Sequence, residues 1–220
     1  EETEFNKPIK VLHTAFSTGQ NSKTILEYAK TNYGFNDMQT MVLNEFMSFV
    51  SSLESDNKNI YNADGSAGGL FQFRTSGFIT AINRFKNINR KINPNYEIPI
   101  WIEQALKHKD PTRLSPDEQK ALALANFLEM PKSEKLRRDG SDELIKAVAN
   151  GDVEAMKKLY IEYHHADYPI NVEETGEGDP YYELRDNKKL KDRTERIFDK
   201  WGTDKYDYQT AQLAYWGNDN

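Results

Sequence analysis

Over residues 36–53 the chain carries a run that suits a buried helix. At about 100° per residue, Met38, Met41, Val42, Phe46, Phe49, Val50 and Leu53 share one broad arc, which Leu43 and Met47 widen. Thr40, Asn44, Ser48 and Ser51 form the narrow polar remainder. A helix so apolar around most of its circumference belongs at the centre of a core rather than on its surface. Asn36, with Gln39 three residues later, is a variant of the capping box, so the helix is expected to begin there.

The rest of the chain continues in the same manner. Residues 22–33 read as a helix stopped by Gly34, and Phe78, Ile79, Ile82 and Phe85 mark another that ends before Asn93-Pro94. A short helix is expected over 99–107. Ser115-Pro116-Asp117-Glu118 is a full start signal, with Ser as N-cap, Pro at the first helical position and Glu at the third, leading into 121–128. Further helices are expected over 142–149, 153–164, 187–201 and 206–216. Alternating strand patterns are nearly absent, so the fold class is mainly α with little or no β-sheet. The acidic, glycine-bearing stretch 173–180 is the best loop candidate.

At 220 residues with 12% aromatics the chain can build one substantial core, and we read it as a single domain over 1–220. It begins at Glu1 rather than Met, which makes a piece processed or cut from a longer chain the expectation. With no cysteine there is no disulfide framework, thiolate nucleophile or thiolate zinc site. His13, His108, His164 and His165 lack metal-ligand spacing and no glycine loop of phosphate-binding type occurs, so neither metal nor cofactor is expected. A net charge of −6 argues against a dedicated nucleic-acid binder. The basic clusters around Arg84, Lys86, Arg90 and Lys91, around Lys132 to Arg138 and along Lys188 to Arg196 read as solvated faces. No run approaches the roughly 20 apolar residues of a membrane span.

Glu54 follows the apolar run directly. On the helical wheel it falls between Leu43 and Met47 and stacks over Val50 one turn back, so it is expected to point along apolar surface. Such burial, together with the carbonyl end of the helix dipole, disfavours a carboxylate and suits a group that must deliver a proton to a sugar oxygen. Glu45, inside the same arc, is read instead as a buried partner for a lysine or arginine, or as a groove residue. After Glu54 the periodicity stops, and Gly68-Gly69-Leu70-Phe71-Gln72-Phe73 follows. Adjacent glycines permit positive φ and close approach. Gln72, between two phenylalanines, combines a neutral donor and acceptor with an aromatic surface.

Glu54-Ser55, followed by Ala67, Gly69-Leu70-Phe71-Gln72, resembles the soluble lytic transglycosylase domain, a relative of goose-type lysozyme, whose pattern reads Glu-Ser, a short loop, then Gly-Ala-x-Gly-Leu-(Met/Phe)-Gln. Ser66 stands at the first Gly of that pattern, Gly68 fills its free position, and Arg74 replaces a commonly apolar residue. Ala214-Tyr215-Trp216-Gly217 is similar to the family's closing Ala-Tyr-Asn-Ala-Gly, without its Asn. Some phage-borne members resemble the chain further around 159–165.

The resemblance implies a lysozyme-like helical domain that cleaves the bond between N-acetylmuramic acid and N-acetylglucosamine in peptidoglycan and leaves 1,6-anhydro ends. Glu54 would be the catalytic acid and base. Ser55, Gly69, Gln72, Phe73, Tyr163, His164 and Tyr215 would contact the glycan, and Tyr215 would carry the role of a hydroxyl beside the acid. It further implies a virion-associated protein of a phage acting on the cell wall, with other virion or tail proteins as partners. Two alternatives stay open: a hydrolytic muramidase pairing Glu54 with Asp56 or Asp64, and a virion structural domain that binds glycan without turnover.

Overall fold

A computed structural model describes residues 19–129 and 141–152, with residues 155, 156 and 159. It is mainly helical. The elements are α1 (Gln20–Tyr33), α2 (Asp37–Ser55), β1 (Ala67–Gly68), β2 (Phe73–Arg74), α3 (Thr75–Ile92), α4 (Ile100–His108), a 3-10 turn (Pro111–Arg113), α5 (Pro116–Glu129) and α6 (Ser141–Ala149). The helices expected over 187–201 and 206–216, most of 153–164, and the loop 173–180 lie outside the described residues.

Local signals set the helix ends. Asn36 and Gln39 form a reciprocal capping box: Gln39 N donates to Asn36 Oδ1 at 2.8 Å and Asn36 N to Gln39 Oε1 at 2.9 Å. Ser115 and Glu118 do the same at α5. Gly34, at φ 70°, closes α1 in the left-handed conformation. α3 ends at Ile92, where Pro94 disfavours helical backbone at Asn93.

α2 over 40–48 and α5 over 119–125 are buried at every position. In α2 the polar stripe is as buried as the apolar arc: Thr40, Asn44, Ser48 and Ser51 all lie inside. α5 buries Ala121, Leu122, Ala123, Leu124, Ala125, Phe127 and Leu128 and packs most extensively against α3 and α1. Its alanines let both neighbours approach closely. Phe46 of α2 meets Phe127 of α5 edge to face with centroids 5.7 Å apart. The buried side chains form one continuous cluster that also takes in Phe71, Phe73, Phe78 and Phe85.

Charged and amide side chains of α5 hold the helices in register. Asp117 caps α1 from across the fold, accepting from Gly19 N at 2.8 Å, Ser22 N at 3.1 Å and Asn21 N at 3.1 Å. These are amides left open at a helix start, and Gly19 has no side chain to satisfy them. Lys120, fully buried, donates to Asn44 Oδ1 of α2 at 2.8 Å. Among the described residues, no helix is long and apolar enough to cross a membrane.

Candidate active site

Glu54 stands in the last turn of α2, one residue before its end at Ser55. Glu54 as a residue is half-buried, and the residues its wheel position aligns with, Leu43, Met47 and Val50, are all buried. The helix stops because Asp56 and Asn57 both turn left-handed, with φ of 56° and 58°. Short polar side chains tolerate that conformation better than most.

The chain then folds back on α2. Ser55 Oγ donates to the carbonyl of Leu70 at 2.8 Å, so the residue after the acid is tied to the middle of the Gly-Leu-Phe-Gln segment. β1 and β2 pair antiparallel, Ala67 opposite Arg74 and Gly68 opposite Phe73, and Tyr61 adds a bridge on the outer side of Gly68. Gln72 adopts φ 49°, and its amide nitrogen donates to Ile60 O at 2.9 Å and Gly69 O at 2.8 Å. Both amide protons are committed to the backbone, so Gln72 offers a ligand its carbonyl oxygen. Gly69, at φ +81°, lies under Gln119 and Pro111. Phe73 is 7% exposed and lies against the rings of Phe71 and Phe78, making it a core side chain rather than part of an open groove wall.

Ser55, Gly69 and Gln72 are therefore brought together beside the end of α2, whereas Phe73 is turned into the core. Tyr163, His164 and Tyr215 lie outside the described residues. Sequence reasoning missed Gln119, which anchors the whole loop. Its Oε1 accepts from Leu70 N at 2.8 Å, and its Nε2 donates to Leu114 O at 3.0 Å and to Asn59 Oδ1 at 3.1 Å. Its position in the first turn of a well-signalled helix gave no hint of that role.

The other acids differ in character. Asp64 is at an exposed turn, where hydrogen bonds from Ser66, the side chain first and then the backbone, hold it below the usual carboxylate range. Asp56 is exposed at the left-handed step out of α2. Glu45 is 4% exposed, and burial raises its pKa to about 7 against an opposing attraction from Lys120. The same burial lowers Lys120 to about 8. Glu45 is thus a buried acid beside a lysine, closed off from any polymer. Arg84 and Lys91 of the first basic cluster turn to α5, Arg84 donating to Asn126 O at 3.1 Å and Lys91 pairing with Glu129 at 2.7 Å. Among the described residues, no group of acids and histidines could hold a metal ion.

Comparison with protein-family models, curated proteins and solved structures returned no match for the chain.

Proposed function

We propose that the chain is a peptidoglycan lytic transglycosylase with a lysozyme-like helical domain, carried by a phage particle and acting on the bacterial wall. The observation that supports this best is the bond from Ser55 Oγ to Leu70 O. It joins the two halves of the sequence pattern, Glu-Ser and Gly-Leu-Phe-Gln, at one corner of the fold.

In this reading the protonated Glu54 carboxyl gives its proton to the oxygen bridging N-acetylmuramic acid and N-acetylglucosamine. The bond from that oxygen to the anomeric carbon breaks as the sugar gains oxocarbenium character. The resulting carboxylate then takes the proton of the 6-hydroxyl of the same muramyl residue, whose oxygen closes on the anomeric carbon. No water is consumed, and Glu54 ends protonated. Ser55, Gln72 and Gln119 hold the loop that follows the acid, and the Gln72 carbonyl oxygen accepts from a sugar amide or hydroxyl.

Digestion of purified peptidoglycan by the parent and by Glu54→Gln, with mass analysis of the products, tests the reading. Lysis that yields anhydro ends and is lost in Glu54→Gln is the expected result. Reducing ends would instead assign a muramidase using Asp56 or Asp64. No lysis by the folded parent would leave a glycan-binding virion component.

A further inference from the structure

Tyr61 is an exposed aromatic residue that the fold holds rigidly. It is 42% exposed and Ile60 beside it is 52% exposed, in a loop otherwise rich in asparagine, aspartate and glycine. Exposed side chains ordinarily rotate, but this one is fixed at three points. Its backbone bridges to Gly68, its hydroxyl donates to Asp110 Oδ1 at 2.8 Å, and its ring lies against Gly68. A Cβ added at Gly68 would come within 2.6 Å of Tyr61 Cε1 and 2.8 Å of Cδ1. Asp110 is itself fixed, accepting from Thr112 N at 3.0 Å and Thr112 Oγ1 at 2.6 Å.

We propose that Tyr61 is a stacking platform for a pyranose ring of the glycan strand, at the outer edge of the loop that follows Glu54. The inference rests on the reading of that loop as a glycan site. Continuity with the site comes through Gln72, whose amide binds the carbonyl of Ile60, the residue before Tyr61. The chemistry fits a sugar better than an apolar partner. An aromatic face is electron-rich and attracts the polarised C–H bonds on one face of a pyranose. Amides and hydroxyls of Asn59, Asn62 and Ser66 stand beside it, and they too are already ordered: Asn59 Nδ2 donates to Thr112 O and Asn62 Nδ2 to Ser66 Oγ. A platform whose side-chain freedom is lost before binding costs little to occupy. Gly68 acquires a reason as well: Tyr61 covers the space its side chain would need.

Titration of the full chain in the Glu54→Gln background with the soluble tetramer of N-acetylglucosamine tests the platform without turnover. The Tyr61 ring resonances should shift on binding. Tyr61→Ala should weaken binding about tenfold, and Tyr61→Phe, which keeps the ring and loses the Asp110 tether, only about twofold. Gly68→Ala should weaken binding with Tyr61 intact, by displacing its ring. Absent binding of the tetramer, an unmoved Tyr61 ring, or a folded Tyr61→Ala that binds like its parent each overturns the platform. Wall digestion separates this outcome from the reading it rests on. Glu54-dependent lysis with Tyr61→Ala equal to the parent removes the platform and keeps the activity. Tyr61-dependent binding without lysis does the reverse.

Discussion

A Cβ on Gly69 would collide with Oε1 of Gln119, the same atom that accepts from the backbone N–H of Leu70 at 2.8 Å. The absent side chain and the hydrogen bond occupy one space, so the two residues form a single lock on the loop that follows Glu54.

Gly69→Ala therefore meets two penalties, the clash and a left-handed φ of +81°, and should lower stability by about 2–4 kcal/mol. Gln119→Ala removes the clash partner and leaves the N–H of Leu70 and the carbonyl of Leu114 unpaired, for a similar loss of about 2–4 kcal/mol. In the double variant the clash no longer exists, so the two losses should fall short of their sum by about 1 kcal/mol or more. Urea unfolding of the four proteins measures this coupling, and strict additivity would dissolve the lock.

Glu54→Gln should leave less than a few per cent of wall lysis at unchanged melting temperature, because the amide keeps the volume and cannot serve as the acid, a contribution of about 10²–10⁴-fold. Turbidity of a wall suspension reads the rate, and circular dichroism checks the fold.

Glu45 makes stability depend on pH in a defined direction. Its carboxyl is raised on folding from 4.5 to about 7. Its contribution is therefore fully present below the lower value and is lost as pH rises through the upper one. Lys120, lowered on folding from 10.5 to about 8, contributes fully above the higher value and loses that contribution as pH falls through the lower. Glu45→Gln should abolish the slope between about pH 4.5 and about pH 7 and exceed the parent above it, by on the order of 1–3 kcal/mol. Thermal melts across that window give the comparison, and parallel curves for the two proteins would remove Glu45 as the source.

Asp117 gathers three backbone amides at the start of α1. Asp117→Ala should cost about 1–3 kcal/mol, and Asp117→Asn less, since one amide oxygen still accepts. Amide exchange at Gly19, Asn21 and Ser22 should accelerate selectively in Asp117→Ala. Exchange that rises evenly across α1 would show a general loosening instead of a lost cap.

What the sequence discloses here is local. The pairs Asn36 with Gln39 and Ser115 with Glu118 are three residues apart, so spacing alone identifies them. The burial along the Glu54 side of α2 follows from helical periodicity in the same way. Gln119, Asp117 and Lys120 could not be found so, because their partners lie on α1, α2 and the loop, far away in the chain. In sequence they are ordinary polar residues in a helix's first two turns. Gln72 between Phe71 and Phe73 reads in sequence as a combination suited to a sugar. The left-handed turn at Gln72 reverses the chain, and the structure uses its amide on the backbone and Phe73 in the core.

The bond from Gln119 to Leu70 spans 49 residues of chain. Order of assembly follows from that separation. α2 can form on its own schedule, carrying Glu54 and the Ser55 bond to Leu70 with it, but the loop lacks its long-range anchor until α5 exists and docks. During synthesis the acid emerges well before the residue that shapes its surroundings, and non-local contacts of this kind close late. The corner containing Glu54 is thus completed only with the arrival of α5, and a chain halted short of it carries the carboxyl without the Gln119 bonds that set the neighbouring loop.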